Sequence, residues 1–232
     1  MGRGFVTRKK MNLLDLAKKI IDFIKRRYSP RGAYISFSPT GEDLLIKQAI
    51  KKLGIEKPSY VDIGCHHPIF SNTTYLFYRD GSSGIVVEPN NDICQEISKA
   101  RSRDICVNAG ISDRDGKETF YIFERGTRNT FSKSQAEEWS KQSGQKYEEK
   151  LIDVISLNTL IKKSKNSCPD IISIDTEGYE EKILSGFDWK IRPKIFCIES
   201  AGRKNLLTSL FLNKGYTVYA ETPANTIFMD EK

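Results

Sequence analysis

Two carboxylates, Asp175 and Glu177, stand two positions apart directly after the isoleucine-rich run 171–174. A carboxylate at the end of a buried strand can accept a proton from a hydroxyl, and it can stabilise a positive charge that faces it. The structural alternative is that Asp175 or Thr176 accepts backbone N–H bonds at the start of the next helix. The motif therefore identifies candidate acid–base residues and leaves a helix cap open.

The elements that must position these carboxylates are short β-branched runs that alternate with helical stretches. This alternation is typical of βαβ units on a mostly parallel sheet, where ligands bind beyond the carboxyl ends of the strands. Each run ends in a polar or small residue, so we expect the ends to form one crevice. The predicted strands are 59–63, 84–88, 104–108, 170–175 and 194–199, with Asp62 and Gly64, Glu88, Asn108, Asp175 and Glu199 at their ends.

The first strand runs into a turn, residues 64–68, that contains Cys65, His66 and His67. A pyrophosphate-binding turn uses a three-glycine motif, whereas this turn has only Gly64, and its proline lacks an N–H donor. One glycine still allows the backbone to approach a ligand without phosphates, such as the methionine part of S-adenosylmethionine (SAM). The turn therefore argues against a dinucleotide and is compatible with SAM.

Two further strand ends complete a pattern that could bind a nucleoside. Glu88 ends the second strand, where a carboxylate can accept hydrogen bonds from both ribose hydroxyls. Asn108, Ala109 and Gly110 follow the third strand and could line an adenine pocket. NAD and SAM both contain a ribose that a carboxylate can bind, so Glu88 does not discriminate between the two cofactors.

The histidines leave two more possibilities open. His66 and His67 place imidazoles beside the predicted ligand, where one could act as a base or both could be structural. With Asp175, Glu177 and Glu199 they could also bind a divalent metal. We expect no resident metal, and metal dependence stays open.

The net charge of +7, from 37 Lys and Arg against 30 Asp and Glu, is local. Residues 1–31 hold ten basic and two acidic residues, so the rest of the chain has 27 basic against 28 acidic residues. A nucleic-acid-binding surface is therefore not expected. Residues 1–35 are predicted to be a basic amphipathic helix and a linker. This helix could pack on the domain or on a second subunit in a homodimer, or contact an anionic membrane through residues 8–28.

The expected compartment follows from what the sequence lacks. No apolar run approaches the roughly 20 residues of a membrane span, and no secretory leader is recognisable. The five cysteines form no C-x-x-C pair and show no zinc-site spacing. Together these features predict reduced cysteines and a cytoplasmic protein, peripheral at most at the inner membrane face.

Other local patterns predict elements outside the parallel strands. The polar stretch 125–149 is interpreted as an irregular loop that either selects the acceptor or is simply solvated. The remaining predictions are a helix at 42–53 capped by Thr40, an extra strand at 118–124, and a closing hairpin formed by 216–220 and 226–229.

Taken together, the motifs resemble the FkbM-type family of SAM-dependent methyltransferases from about residue 36 to residue 229. The order of these motifs is specific for the family, although no single motif is specific by itself. The chain departs from the family after the turn glycine, where imidazoles stand in place of smaller residues. The motifs are Gly41-Glu42-Asp43, Val61-Asp62-Ile63-Gly64, Ser71-Asn72-Thr73, Val87-Glu88-Pro89-Asn90, Asn108-Ala109-Gly110 and Ile174-Asp175-Thr176-Glu177-Gly178.

The resemblance implies an α/β class I methyltransferase fold, a Rossmann-like three-layer sandwich with a mostly parallel seven-stranded sheet and one late antiparallel strand. It implies a methyltransferase domain at residues 36–232 that O-methylates a small molecule, and we expect a sugar hydroxyl of a surface glycan or its precursor. Asp175 would face the methyl group. The candidate cofactor residues are Asp62, Gly64, Cys65, Ser71, Asn72, Thr73, Glu88, Pro89, Asn108, Ala109, Gly110 and Asp175, and the candidate catalytic residues are Asp175, Glu177, His66 and His67.

Two other classes of function compete with this interpretation. A nicotinamide-dependent oxidoreductase would share the ribose contact at Glu88, but the missing glycines argue against it. A non-catalytic module could bind membrane or nucleic acid through the basic N-terminal segment. The nearly neutral remainder of the chain argues against a nucleic-acid partner.

Overall fold

The structure, a computed structural model, describes residues 34–124, 128–163, 168–200 and 202–231. The predicted basic helix and the membrane contact predicted for residues 8–28 lie outside these ranges. Both therefore stay predictions, as do the domain division at residues 35 and 36 and the homodimer. The fold is that of the unit Ser36–Lys232.

Helices and strands alternate along the described chain, as the sequence predicts. Within these ranges, no helix is both long and apolar enough to span a bilayer. In chain order the elements are α1 (Glu42–Lys52), β1 (Tyr60–Ile63), α2 (Tyr75–Arg79), β2 (Gly84–Val87), α3 (Asn91–Ala100), β3 (Ile105–Val107), β4 (Gly110–Ser112), β5 (Gly116–Phe123), α4 (Lys133–Ser143), β6 (Tyr147–Ser156), α5 (Leu157–Lys163), β7 (Ile171–Ile174), α6 (Glu180–Ser185), β8 (Ile195–Glu199), α7 (Lys204–Asn213), β9 (Tyr216–Glu221) and β10 (Asn225–Asp230).

The main sheet has seven strands in the order β3-β2-β1-β7-β8-β10-β9. The first five strands of this order pair in parallel, whereas β10 is antiparallel to both of its neighbours. The predicted closing hairpin is β9 and β10. This arrangement confirms the predicted class I methyltransferase fold, including its single late antiparallel strand.

Apolar side chains cover both faces of the sheet, because successive residues of a strand point to opposite sides. On β8, Phe196 and Ile198 join the cluster formed with α5, α6 and α7, whereas Ile195 and Cys197 join the cluster formed with α1, α2 and α3. All four side chains are at most 1% exposed. A strand buried on both faces is mostly apolar, which explains the nearly continuous apolar runs in the sequence.

A second sheet, in the order β4-β6-β5, corrects the interpretation of residues 125–149 as an irregular loop. β5 confirms the extra strand predicted at 118–124. From residue 133 onward the chain forms α4 and β6 instead of a loop. Ser132 caps α4 by accepting a hydrogen bond from the N–H of Gln135, and Phe123 packs against aromatic rings from both α4 and β6. These long-range ring contacts leave no periodic signal in the polar segment itself.

The helix α1 begins without the predicted cap. Gly41 occupies the N-cap position with a φ of 87°, and Thr40 bonds to the carboxylate of Glu42 instead. The prediction of Thr40 as the cap is wrong because Glu42 is fully buried and needs donors. It also accepts hydrogen bonds from Thr222, in the turn between β9 and β10, and from Asn225, the first residue of β10.

One pair of cysteines differs from the prediction that all are reduced. A disulfide joins Cys94 on α3 to Cys106 on β3, whose Cα atoms are 6.0 Å apart. The sequence spacing did not indicate this pairing, because only the packing of α3 beside β3 brings the two residues together. Cys65, Cys168 and Cys197 are free thiols.

The end of β1 approaches β7 so closely that residue 64 has no room for a side chain. A Cβ atom at Gly64 would lie 1.8 Å from the carbonyl oxygen of Asp175, and the φ of Gly64 is 83°. Both the steric space and the left-handed backbone therefore require glycine here.

We expect Gly64→Ala to lower the free energy of unfolding by about 2 kcal/mol more than Gly144→Ala. Gly144 also has a left-handed φ, 69°, but nothing lies within 4 Å of the position that its Cβ would take. The Gly144→Ala variant therefore measures the cost of the backbone conformation without a steric clash. Urea denaturation of the two variants gives the comparison. Equal losses would contradict the steric argument.

Candidate active site

Five strand ends form one row at the carboxyl edge of the main sheet. In the parallel register, Val107, Val87, Ile63, Ile174 and Ile198 stand side by side. The residues that follow them are therefore neighbours as well, as expected from the sequence. This row consists of Asn108, Glu88, Gly64, Asp175 and Glu199.

A cavity of about 300 Å³ lies at this row, which is within the range of small-molecule sites. The predicted site residues that line it are Gly64, His66, Ser71, Glu88, Pro89, Ala109, Gly110, Asp175 and Glu177. The sequence analysis did not assign the other lining residues to the site; they are Pro39, Ile63, Val87, Ile111, Phe120, Asn129, Phe131 and Thr176. Phe120, Asn129 and Phe131 come from β5 and the segment before α4, so no local signal connects them with the strand ends.

The other predicted site residues lie outside the lining. They are Asp62, Cys65, His67, Asn72, Thr73 and Asn108. The side-chain amide of Asn108 donates to the carbonyl oxygens of Glu88 and Pro89, both at 2.9 Å. Asn108 therefore ties the ends of β2 and β3 together.

Glu88 connects the end of β2 to the turn after β1. Its Oε2 accepts a hydrogen bond from the N–H of His66 at 3.0 Å, and its Oε1 accepts one from the N–H of Asn90 at 2.9 Å. The carboxyl group is 5% exposed, and burial raises its pKa, although the two N–H donors oppose that rise. Each oxygen keeps a free lone pair, so Glu88 could still accept a hydrogen bond from a ligand hydroxyl.

The two histidines play different parts. Nδ1 of His67 accepts hydrogen bonds from the N–H groups of Ile69 and Phe70 at 3.0 and 2.9 Å, so His67 stabilises the turn. His66 lines the cavity and has a left-handed φ of 51°. Burial and then the neighbouring His67 lower the pKa of His66, so its imidazole is mainly neutral at pH 7 and could accept a proton.

A buried guanidinium that the sequence analysis did not identify lies beneath this turn. Arg101 is 0% exposed, and its Nε lies 2.7 Å from a carboxylate oxygen of Asp104. Its other nitrogens donate to the side-chain oxygens of Asn72, Thr74 and Tyr60 at 3.1, 2.9 and 3.1 Å. The guanidinium therefore links β1, the end of α3 and the segment before α2.

Asp62 belongs to the same network. Its carboxylate is 4% exposed and accepts hydrogen bonds from Thr74 Oγ1 at 2.6 Å and Asn72 Nδ2 at 3.4 Å. Burial raises the pKa of Asp62, and the charge of Arg101 opposes that rise. Through these contacts Asp62 holds the segment that follows the cavity turn.

We expect Arg101→Met to lower the free energy of unfolding by about 3–5 kcal/mol, because it leaves buried Asp104 without its cation. Arg103→Met is the matched control. Arg103 is exposed and stacks 4.0 Å from the ring centre of Tyr78, so its loss should cost only about 1 kcal/mol. Denaturant midpoints at one pH give both values, and similar losses would contradict a special role for Arg101.

Three carboxylates, Asp175, Glu177 and Glu199, form an acid group at the β7 side of the cavity. One oxygen of each lies within 4.8 Å of those of the other two. Burial, and then repulsion from Glu199 and Glu180, raises the pKa of Glu177 to about 8. Burial and neighbouring carboxylates also raise the pKa of Glu199, and repulsion from neighbouring carboxylates raises that of Asp175, which is an exposed residue. The acid group therefore titrates near neutral pH, where a general base is most useful.

The oxygens of the acid group would also suit a hard divalent cation such as Mg²⁺. His66 and His67 do not belong to the cluster, so the geometry does not support a mixed site of imidazoles and carboxylates. The expectation of no resident metal stays a prediction.

The helix-cap alternative for the Asp175 motif is wrong. The N-cap residue of α6 is Tyr179, and no side chain bonds there. The N–H of Thr176 instead donates to the carboxylate of Glu180 at 2.9 Å. The loop between β7 and α6 is longer than the sequence suggested, which moves Asp175 and Thr176 away from the helix start.

The raised pKa of Glu177 predicts a pH-dependent stability. Between about pH 4.5 and 8 the folded protein keeps a proton that the unfolded chain has released. The stability that this proton supports is complete below this window and is lost as the pH rises through it. We expect the free energy of unfolding to fall by at least about 1 kcal/mol between about pH 6 and 9, and less in Glu177→Gln.

Urea denaturation at several pH values measures this slope. Glu149→Gln, an exposed substitution on β6, is the control and should follow the wild type. A slope in Glu177→Gln as steep as that of the wild type would contradict the assignment.

Comparison with known proteins identifies the class of enzyme. The sequence profile of the Methyltransferase FkbM domain family matches residues 62–216, which is more than half of the chain. The chain therefore belongs to the FkbM methyltransferase family, as its motifs indicated. It is a methyltransferase. None of the curated proteins compared with the chain matches it.

The chain is similar to several solved methyltransferase structures at low sequence identity. A proposed RNA methyltransferase from Pyrococcus horikoshii has 10% identity and a TM-score of 0.45, with 82% of this chain and 84% of that chain covered. A TehB-like SAM-dependent methyltransferase from Corynebacterium glutamicum has 11% identity and a TM-score of 0.42, with 93% and 99% covered. An O-methyltransferase from Bacillus cereus in complex with SAH has 12% identity and a TM-score of 0.41, with 91% and 88% covered.

Proposed function

We propose that this methyltransferase uses SAM and methylates a hydroxyl oxygen of a neutral sugar in a surface glycan or its precursor. The proposal names a cofactor, a reaction and an acceptor class. Each is supported by a different part of the cavity.

The observation that carries the proposal is the charge of the cavity. Among the described residues that line it, Glu88, Asp175 and Glu177 are carboxylates, and none is Lys or Arg. Where these carboxylates are ionised, they would attract the positive sulfonium and ammonium groups of SAM, and a lining without Lys or Arg offers no cationic partner to a phosphate. The charge of the lining therefore suits SAM, whereas it does not suit the pyrophosphate of a dinucleotide.

The row of strand ends supports one orientation of SAM. Glu88 would accept hydrogen bonds from the ribose hydroxyls. The adenine would lie beside Ala109 and Gly110, against the ring of Phe131, which packs directly on Gly110. The methionine part would pass over Gly64, which lines the cavity between these two ends.

The acid group supports the role of a base on the acceptor side. SAM supplies a methyl group already activated by its sulfonium, so the protein has to align the acceptor oxygen and remove its proton. Asp175 and Glu177 both line the cavity and have raised pKa values, so either could accept the hydroxyl proton near neutral pH. His66, which is mainly neutral at pH 7, is the alternative base.

The remaining lining residues support a neutral, polyhydroxylated acceptor. Carboxylates accept hydrogen bonds from hydroxyl groups, and the side-chain amide of Asn129 can both donate and accept. The ring of Phe120, whose centre lies 4.7 Å from that of Phe131, offers an apolar surface for the face of a sugar ring. An anionic acceptor would meet the repulsion of the acid group.

Isothermal titration calorimetry with SAM, S-adenosylhomocysteine (SAH) and NAD tests the cofactor. We expect SAM and SAH to bind and NAD not to bind. Glu88→Gln should weaken both sulfur ligands at least about tenfold, because it removes a charged acceptor of ribose hydrogen bonds. Glu96→Gln, on the exposed side of α3, is the matched control and should leave both affinities unchanged. Binding of NAD without SAM or SAH would overturn the proposal.

Mass spectrometry after incubation with SAM and a panel of neutral glycosides tests the acceptor class. The expected product is a sugar that has gained one methyl group on oxygen, formed more slowly by the double variant Asp175→Asn/Glu177→Gln. Methylation of anionic or nitrogen acceptors in preference to neutral sugars would contradict this part of the proposal.

A further inference from the structure

The acid group stands partly on a loop with an unfavourable backbone. In the β7–α6 loop, residues 175–179, Glu177 has a φ of 56° and Gly178 a φ of 99°. For Glu177, which has a side chain, the left-handed conformation is unfavourable. The following helix provides no side-chain cap that could hold the loop. Another group must therefore stabilise its shape.

The carboxylate of Glu180 supplies this stabilisation from within the protein. Glu180 is 0% exposed. Its Oε1 accepts hydrogen bonds from the N–H and the hydroxyl of Thr176, both at 2.9 Å, and from the N–H of Gly178 at 3.3 Å. A single carboxylate oxygen thus fixes the backbone on both sides of Glu177.

Arg203, the residue before α7, holds this carboxylate in place. Its Nη2 lies 2.9 Å from Oε2 of Glu180 and 3.9 Å from Oε2 of Glu199. Glu199 in turn accepts a hydrogen bond from the N–H of Glu177 at 3.1 Å. One cation therefore contacts both carboxylates that bind the backbone of the β7–α6 loop.

The charges that surround the loop are mainly negative. The groups that act on Asp175 and Glu177 include Glu42, Asp62, Glu180, Glu199, Arg128 and Arg203. Arg203 opposes the rise in the pKa of both Glu177 and Glu199. Without this cation, we expect the acid group to keep its protons to a higher pH.

We propose that Arg203 and Glu180 are positioning residues for methyl transfer. The pair holds the β7–α6 loop so that Asp175 and Glu177 face the cavity, and Arg203 balances the negative charge of the acid group. Neither residue of the pair lines the cavity, so both act through the loop. The inference rests on the proposed role of the acid group, but the positioning can be tested without any ligand.

Amide hydrogen exchange measured by NMR on the ligand-free full chain is the first test. In Arg203→Met we expect the N–H groups of Thr176 and Gly178 to exchange at least about tenfold faster, because their acceptor is no longer fixed. Arg203→Lys, which keeps the charge, should restore most of the protection. Arg192→Met, which breaks an ion pair with Asp230 at the opposite edge of the sheet, is the control and should not affect these two amides.

Unchanged exchange in a folded Arg203→Met protein would overturn the proposal. If this variant does not fold, the double variant Glu180→Gln/Arg203→Met removes both charges and takes its place, with the same expected loss of protection.

The second test compares the affinities for SAM and SAH by calorimetry between about pH 6.5 and 9.5. SAM carries a sulfonium charge that SAH lacks, so the preference for SAM reports the ionisation of the acid group. In the wild type this preference should rise through about pH 8, the pKa of Glu177. In Arg203→Met the rise should move to higher pH, leaving a preference about threefold smaller at pH 8, while Arg192→Met should follow the wild type.

Identical pH curves for the wild type and Arg203→Met would overturn the role of Arg203 in balancing the charge. If the wild type binds neither SAM nor SAH, the proposed function fails, and the exchange experiment still decides whether the pair positions the loop.

Discussion

The guanidinium of Arg101 is completely withdrawn from water, and the arrangement around the cavity depends on satisfying it. A buried charge is tolerated only if it is paired and its hydrogen-bond donors find acceptors. Asp104 supplies the opposite charge, while Asn72 and Thr74 supply oxygens from the segment that follows the cavity turn. Because Asn72 and Thr74 also donate to Asp62, that segment is fixed to β1. The turn at one side of the cavity, residues 64–68, therefore rests on a rigid hydrogen-bonded network.

The parallel register divides the cavity into two halves with different electrostatics. Glu88 and Asp175 flank Gly64 on neighbouring strands, so their backbones are two strand spacings, about 10 Å, apart. On one side the carboxylate of Glu88 is held by two backbone N–H donors, which suits the binding of a ligand hydroxyl. On the other side three carboxylates repel one another, which reduces stability but produces groups that titrate near pH 8. A long ligand can therefore be held at one end while chemistry occurs at the other.

Much of the fold could be predicted from the sequence, because the signals for it are local. Each buried strand of the parallel sheet is a mostly apolar run, and the polar or small residue that follows it stands next to it in the chain. The rule for parallel sheets then places Glu88, Gly64 and Asp175 at one edge, as the structure shows. Local signals gave a wrong prediction where one side chain has two possible hydrogen-bond partners. The cap of α1 is Gly41 because the side chain of Thr40 has a better partner in buried Glu42.

The sequence by itself determined the positions of most strands along the chain, the acidic and glycine residues near their ends, and the family to which these motifs belong. Only the tertiary structure decided which side chains line the cavity and which support it. Asp62 and Glu88 end neighbouring strands in similar motifs, yet Asp62 is bound beneath the turn and Glu88 reaches the cavity. Phe131 and Arg203 have no local signal at all. Their roles arise from contacts between elements far apart in the chain, and the pairing of a buried charge or ring depends on packing that no short segment encodes.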